Sequence, residues 1–268
     1  QKLLPVAPGA TGKSFWALEA AMSVACAATV ESRAAGGDLV GLAPAKAGRV
    51  VYYAGEDPKP ALIGRIHSVG KHLGQEAREA IIENLMVVPI MGKLMDVTKK
   101  NKRSQIIKQC EGARLIVLDT LSRIHTLDEN SNGDMARLVA MLEEIATITK
   151  ASVLYLHHVS KGSARDGQAD QQQAVRGASA LVDNPRWCGF VAKMTEKEAL
   201  NHTDRVYDRQ PIGENRRKFF VRFGVSKQNY AEIDDDRWYQ RHDGGVLLPV
   251  ELLDAKQDSG RGRQREQA

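Results

Sequence analysis

The feature that most constrains the fold is a glycine-containing loop close to the start of the sequence. It follows an apolar run, precedes an alanine-rich segment that predicts a helix, and reads Ala7-Pro8-Gly9-Ala10-Thr11-Gly12-Lys13-Ser14. A strand, such a loop, a Lys-Ser pair and a helix in this order are typical of a phosphate-binding loop. Its backbone N–H groups surround phosphates, and the helix N-terminus adds its positive dipole end. We therefore predict that the loop binds a nucleotide with Mg²⁺, with Lys13 on the β- and γ-phosphates and the Ser14 hydroxyl on the metal.

The loop departs from the usual pattern, G-x-x-x-x-G-K-[ST], at its first position, where Ala7 replaces glycine. A small residue fits there if its φ is not strongly positive. The alternative, a chance Gly-Lys-Ser turn, is disfavoured because a strand and a helix flank the loop. The predicted nucleotide-binding residues of the loop are Ala7, Gly9, Ala10, Thr11, Gly12, Lys13 and Ser14.

Short apolar runs alternate with helical patterns through the first 158 residues. The predicted strands are Arg49–Ala54, Leu85–Ile90, Arg114–Asp119 and Ser152–His158, and the clearest helical spacing covers Asp134–Lys150. Such alternation predicts a parallel sheet with helices on both faces. After Pro185 the pattern changes to strands joined by turns, at Arg186–Lys193, Lys218–Lys227, Arg237–Arg241 and Gly245–Leu248. We predict an α/β fold with a mainly parallel sheet, extended by antiparallel strands on its C-terminal side.

Length and composition predict the domain organisation and the compartment. A chain of 268 residues with 43% hydrophobic residues can form one domain, predicted at 1–253, before a polar and disordered tail at 254–268. Because Gln1 opens the sequence just before the first strand, we expect a missing N-terminal segment. No apolar run approaches membrane-span length. The scattered cysteines predict buried, reduced thiols in a cytoplasmic protein; they are Cys26, Cys110 and Cys188. The net charge of +5 suits a polyanionic partner, although an ordinary basic surface explains it too.

Two acidic residues at strand ends are candidates for the chemistry. In a phosphate-loop fold, an Asp that ends a neighbouring strand holds Mg²⁺, and Asp119 has this position. Glu56 ends another strand, where a carboxylate can position or deprotonate the attacking water. We assign Asp57 to capping the next helix because Pro58 follows it. The alternative is that these acids only cap strands and helices.

A histidine and an arginine complete the candidate set. His157 and His158 end the strand after Asp119, and alternation places them on opposite faces. We favour His158 as the residue that senses the γ-phosphate, whereas a strand histidine is more commonly a core residue. Arg186 could stabilise charge at the site of a neighbouring subunit, but composition alone favours an ordinary surface arginine.

The chain resembles the RepA type of hexameric plasmid replicative DNA helicase, a family of RecA-like ATPases. The resemblance covers nearly the whole chain and is carried by the loop above, by residues 54–58, 117–121, 156–158 and 170–174, and by three late stretches. These late stretches are not general to phosphate-loop proteins: Leu181-Val182-Asp183-Asn184-Pro185-Arg186-Trp187, Phe219-Phe220-Val221-Arg222-Phe223-Gly224-Val225-Ser226-Lys227 and Arg241-His242-Asp243-Gly244-Gly245-Val246-Leu247. The chain departs from the family in two longer segments, Glu31–Gly48 and Ala199–Asn215.

The resemblance implies a role for each candidate residue. Lys13 and Ser14 would bind triphosphate and Mg²⁺, with Asp119 as the acid on the metal side. Glu56 would be the catalytic carboxylate, His158 the γ-phosphate sensor, and Arg186 the finger that enters the adjacent subunit's site. Arg65 matches a family arginine near the phosphates. The loops Thr126–Asp134 and Ser160–Gln173 would face the channel of the ring, where Lys161 and Arg165 could contact DNA phosphates.

The predicted function is an ATP-driven ring helicase that moves 5′ to 3′ on single-stranded DNA and unwinds replication forks, as a homo-oligomer of hexameric type. One alternative is a RecA-like regulatory protein that uses ATP as an assembly switch without unwinding. A small-molecule kinase is a weaker alternative, because no arginine-rich lid is evident and the late motifs have no use in it.

Overall fold

The computed structural model describes residues 2–7 as backbone, together with residues 11–26, 38–44, 46–93, 95–158, 179–229 and 236–256. Its strands are β1 (Lys2–Ala7), β2 (Val50–Ala54), β3 (Leu85–Pro89), β4 (Leu115–Asp119), β5 (Ser152–Tyr155), β6 (His157–His158), β7 (Trp187–Lys193), β8 (His202–Thr203), β9 (Phe220–Gln228), β10 (Arg237–Arg241), β11 (Leu247–Val250) and β12 (Leu253–Asp254). Its helices are α1 (Lys13–Cys26), α2 (Lys59–Gly70), α3 (Gln75–Asn84), α4 (Lys100–Gln109), α5 (Asn132–Thr149), α6 (Ala180–Asp183), α7 (Glu196–Asn201) and α8 (Gly213–Arg217).

One large sheet organises the described part of the chain. Its strand order is β11-β10-β9-β7-β1-β5-β4-β2-β3, and β6 also pairs with β1. The strands from β7 to β3 in this order run parallel to their neighbours, whereas β9, β10 and β11 are antiparallel. The predicted fold class, a mainly parallel sheet with antiparallel strands added by the C-terminal part, is confirmed.

Alternating side chains of the parallel strands form two hydrophobic cores, one on each face of the sheet. Val117 and Leu154 pack with α1, α2 and α3 on one face. Ile116, Leu118 and Val153 pack with α4 and α5 on the other. Strands buried on both faces must be apolar at nearly every position, which is why their sequences are continuous hydrophobic runs.

The strand registers place Glu56, Asp119, His158 and the loop after β1 at one edge of the sheet. Ala54 at the end of β2 pairs with Asp119 at the end of β4. Ala7 at the end of β1 pairs with His158 of β6. Because all these strands are parallel, the residues that follow them meet at the carboxyl edge, where open α/β sheets bind ligands.

Two predicted boundaries differ from the structure. The helix α5 begins at Asn132 rather than Asp134, since the Ser131 side chain accepts a hydrogen bond from the Asp134 N–H and caps the helix. This shortens the predicted channel loop Thr126–Asp134. The predicted tail starts too early, because Leu253–Asp254 form β12 and pair with β8. The remaining tail residues from 257, the loop Ser160–Gln173 with Lys161 and Arg165, and much of Glu31–Gly48 lie outside the described residues.

The segment Ala199–Asn215, which the sequence marks as long and polar, is ordered around a small apolar cluster. Ile212 and Ala199 are buried with Met194 and Phe220. Thr195 caps α7 reciprocally with Glu198, and a bidentate Arg216–Asp204 ion pair closes the turn. The segment therefore forms a compact addition beside β9 and β10.

The three cysteines are buried thiols, as predicted. Within the described helices, none has both the length and the apolar composition needed to cross a bilayer.

A buried carboxyl group joins α1 to the antiparallel strands. Glu19 is 1% exposed, and its Oε1 accepts a hydrogen bond of 2.9 Å from the Leu247 N–H at the start of β11. Its Oε2 is buried and lacks a hydrogen-bond partner among the described residues. Burial raises the pKa of Glu19 to about 8 from its ordinary 4.5, with the Leu247 hydrogen bond opposing the shift. The carboxyl group is therefore mostly protonated in the folded protein at neutral pH.

We predict that Glu19 makes the protein less stable as the pH rises from about 4.5 to about 8. Across this range the folded state retains a proton that the unfolded state has lost, so the free energy of unfolding falls by about 1.4 kcal/mol per pH unit. Glu19→Gln keeps an acceptor for Leu247 and cannot ionise. Urea unfolding of both proteins from pH 5 to pH 9 should show the variant becoming relatively more stable with pH. A constant difference between the two proteins would contradict the prediction.

Candidate functional site

Lys13, His158 and Glu56 form a continuous chain of contacts at the carboxyl edge of the sheet. Lys13 Nζ lies 2.7 Å from His158 Nδ1, and His158 Nε2 lies 2.9 Å from Glu56 Oε1. Lys13 Nζ also lies 3.0 Å from Nε2, so the ammonium sits against both ring nitrogens. With the ring proton on Nε2, Nδ1 can accept from Lys13 while Nε2 donates to Glu56. The structure thus brings together three of the predicted residues, supplied by α1, β6 and the turn after β2.

The electrostatics of this chain favour a charged carboxylate beside a buried amine. The hydrogen bond from His158 lowers the pKa of Glu56, against the opposite effect of burial. Burial lowers the pKa of Lys13, while Glu56 and Asp119 oppose that shift. Glu56 is therefore ionised at neutral pH, and its contact with His158 holds the carboxylate in the cavity.

Ser14 and Asp119 are also adjacent, as predicted. Ser14 Oγ donates to Asp119 Oδ1 over 3.1 Å, and the Tyr52 hydroxyl donates to Asp119 Oδ2 over 2.6 Å. Asp119 is 3% exposed, and burial raises the pKa of its carboxyl group while the Tyr52 hydrogen bond lowers it. Tyr52 thus fixes one oxygen of Asp119 and leaves the other directed at Ser14.

A close backbone approach makes this geometry possible. The Gly55 N–H donates to the Asp119 carbonyl oxygen over 2.5 Å. A Cβ atom at residue 55 would lie 2.7 Å from Arg123 Cγ and 3.2 Å from that carbonyl oxygen. Only glycine fits, and Glu56 follows directly. The ends of β2 and β4 can therefore meet closely enough for both acids to share one site.

These residues line a cavity of about 290 Å³, and its described lining is Thr11, Gly12, Lys13, Ser14, Phe15, Glu56, Arg65, His158 and Arg241. Arg65 lies over the Phe15 ring at 4.8 Å and forms an ion pair with Asp57. The assignment of Asp57 as a helix cap was wrong. Pro58 is the N-cap of α2 without a side-chain hydrogen bond, and the Asp57 carboxylate instead orients Arg65.

The donor set fits Mg²⁺ held together with phosphate oxygens. A hydroxyl and a single carboxylate lie side by side at Ser14 and Asp119. Among the described residues, no three His, Cys, Asp or Glu side chains cluster as a metal site. Mg²⁺ is commonly bound through one or two carboxylates plus substrate phosphates rather than by a protein cage. The sequence-based assignment of these two residues is thus compatible with the geometry.

Arg186 lies far from this cavity within its own chain. It is exposed and directly precedes β7, whose Trp187 pairs with Leu3 of β1. The nucleotide loop follows the other end of β1. Five residues of strand, at about 3.3 Å each, separate the two levels by about 16 Å. Arg186 cannot contribute to the cavity of its own chain.

The structure does not describe every predicted site residue, and it adds two residues to the site that the sequence did not predict. Gly9 and Ala10 lie outside the described residues, and Ala7 is described as backbone of β1. Sequence reasoning missed Tyr52 because it lies in an apolar strand run. It also missed Arg241 because that residue is remote in sequence and reaches the loop through sheet pairing.

Comparison with known proteins identifies the family and the fold. A family model described as an AAA domain matches residues 3–164, which is more than half of the chain. The chain belongs to the AAA domain family. This AAA domain protein also resembles a solved structure titled as a DnaB-like replicative helicase and its interactions with primase. The two share 14% sequence identity with a TM-score of 0.57, covering 92% of this chain and 57% of that one. At this identity the likeness establishes the fold, and the AAA domain protein spans little more than half of that helicase chain.

We predict that Tyr52→Phe perturbs the acid of the site. Loss of the hydroxyl leaves Asp119 Oδ2 buried without its donor, so the free energy of unfolding should fall by about 1–3 kcal/mol, measured by chemical denaturation. The Mg²⁺ concentration needed for half-maximal nucleotide binding should also change.

Tyr155→Phe is the matched control. The buried Tyr155 hydroxyl donates to the Leu181 carbonyl oxygen over 3.0 Å, on the other face of the sheet. Its loss should lower stability without changing the Mg²⁺ requirement. Equal Mg²⁺ titrations for the two variants would show that Tyr52 has only a structural role.

Proposed function

We propose that this protein is an ATP-driven DNA helicase of the RepA type, which forms a ring of hexameric type and moves 5′ to 3′ on single-stranded DNA. The observation that carries the proposal is the division of the predicted residues between two places. Lys13, Glu56 and His158 meet in one cavity, whereas Arg186 is exposed at the opposite edge of the sheet. If the reaction needs all four of these residues, a second copy of the chain must supply the arginine.

Each residue has a defined task in the proposed hydrolysis. Lys13 neutralises the phosphates of ATP, and Ser14 and Asp119 hold Mg²⁺, which supplies further charge neutralisation at the phosphates. Glu56 positions the attacking water and accepts its proton, and the contact with His158 holds its carboxylate in place. Arg186 of the adjacent subunit stabilises the charge that develops on the transferred phosphoryl group.

His158 is suited to report the nucleotide state. It contacts both Lys13 and Glu56, so a γ-phosphate that binds Lys13 competes with the Lys13–His158 contact. The residues after His158 lead into the predicted DNA-contacting loop with Lys161 and Arg165. Contacts from these cations to DNA phosphates would be salt-dependent and insensitive to sequence, in keeping with the net charge of +5.

We predict that Arg186→Ala lowers the rate of ATP hydrolysis by about a thousandfold or more and leaves nucleotide affinity close to wild type. Its guanidinium acts on the transition state rather than on ground-state binding. Steady-state hydrolysis and fluorescent-nucleotide binding should be measured on the same preparations. Arg78→Ala, at an exposed arginine of α3, is the control and should retain activity. Near-normal hydrolysis by the Arg186→Ala protein would remove this residue from the mechanism.

Lys13→Ala should lose nucleotide binding and hydrolysis together, because Lys13 provides the buried positive charge of the loop.

Unwinding is tested separately on forked DNA with either a 5′ or a 3′ single-stranded tail. The helicase proposal expects ATP-dependent strand separation that requires the 5′ tail. A ring that hydrolyses ATP and separates neither substrate would instead support an ATP-dependent assembly switch.

A further inference from the structure

Arg241 extends from the antiparallel part of the sheet into the nucleotide loop. It ends β10, pairs with Leu247 of β11, and its Nη2 donates to the Thr11 carbonyl oxygen over 2.9 Å. The same nitrogen lies 3.0 Å from where a Cβ atom on Gly12 would be, and Gly12 has a φ of +108°. The guanidinium therefore contacts the backbone of the loop beside Lys13 and forms part of the same cavity wall.

The other described cations of this cavity have carboxylates near them. Lys13 is influenced by Glu56 and Asp119, and Arg65 pairs with Asp57. Arg241 has no ion pair with a described carboxylate, and its Nε is buried without a hydrogen-bond partner among the described residues. Burial lowers the pKa of Arg241, and no described acidic group opposes this effect. The guanidinium is thus a half-buried positive charge that faces a phosphate cavity.

A purely structural role explains this position poorly. Placing a charge where one carbonyl oxygen is its main partner costs desolvation energy, and an apolar side chain would fill the space without that cost. Arg237, four residues earlier on β10, shows the structural alternative: it donates to the carbonyl oxygens of Val40 and Gly41, away from the cavity.

We propose that Arg241 is a nucleotide-binding residue, whose guanidinium binds, in the same chain as Lys13, the phosphates that ATP and ADP share. The assignment to the shared phosphates follows from its contact with Thr11 and Gly12, since this part of a phosphate-binding loop surrounds the α- and β-phosphates. The inference rests on the proposed function, because it requires that the loop binds a nucleoside triphosphate.

Nucleotide binding would also tie β10 and β11 more firmly to α1. A nucleotide that binds both Lys13 and Arg241 connects α1 to the end of β10 and adds to the Arg241–Thr11 and Glu19–Leu247 hydrogen bonds and to the apolar packing of Trp16 with Tyr239. Nucleotide binding should therefore reduce the opening of β10 and β11, where backbone amides report it by hydrogen exchange.

The test compares full-length wild type, Arg241→Met, Arg241→Gln and the control Arg237→Met. Binding of fluorescent ADP and of a non-hydrolysable ATP analogue is titrated, and the nucleotide-free proteins are melted. Both Arg241 variants should bind both nucleotides about tenfold to a hundredfold more weakly, by equal factors, because one charge-assisted contact to shared phosphates is lost. Arg241→Met without nucleotide should melt within about 2–4 °C of wild type. Arg237→Met should retain wild-type affinity.

Hydrogen exchange supplies the second measurement. ADP should slow exchange in β10 and β11 of wild type and have little effect there in the Arg241 variants. Arg241→Gln retains an N–H donor without the charge. It therefore tests the contribution of the Arg241 charge to nucleotide affinity even if Arg241→Met does not fold. Affinity within twofold of wild type in Arg241→Gln would overturn the proposal while leaving the ATPase intact. Failure of wild type to bind either nucleotide would overturn the proposed function as well.

Discussion

The contact chain Lys13–His158–Glu56 is the interaction on which the site depends. A lysine that is 4% exposed needs nearby negative charge, and Glu56 supplies it through His158. The three residues belong to different elements, so they meet only because β1, β2 and β6 are parallel and end at the same edge. The order of the sheet is thus a requirement of the chemistry, and an antiparallel arrangement of these strands would separate the lysine from its acid.

The antiparallel strands support α1 and the residues just before it from the side opposite Glu56 and Asp119. Trp16 of α1 stacks on Phe223 of β9 with ring centroids 4.2 Å apart. Glu19 accepts from the Leu247 N–H, and Arg241 donates to the Thr11 carbonyl oxygen. The late strands therefore hold the first helix and its loop in place. The loop motif near the start of the sequence and the motifs of β9 to β11 near its end therefore belong to one packed unit.

Much of the fold could be predicted because parallel strands buried on both faces need uninterrupted apolar runs. The same reasoning located Glu56 and Asp119, since polar residues that end such runs lie at the ligand-binding edge. Sequence reasoning failed where a side chain binds another side chain in place of the adjacent backbone. Asp57 forms an ion pair with Arg65 and does not cap α2. Tyr52 and Arg241 could not be found in this way, because their contacts with Asp119 and Thr11 depend on strand register and on pairing across more than 200 residues.

The central claim is that the catalytic site lies between two copies of the chain, and a subunit-mixing assay tests it most directly. Lys13→Ala chains keep Arg186, and Arg186→Ala chains keep the nucleotide loop, so each alone should be nearly inactive. In an equimolar mixture, about a quarter of the head-to-tail contacts combine an intact loop with an intact arginine. The account predicts ATP hydrolysis well above the sum of the separate proteins, with a maximum near equal proportions. Activity equal to that sum at every ratio would show that the two residues do not act across a subunit contact.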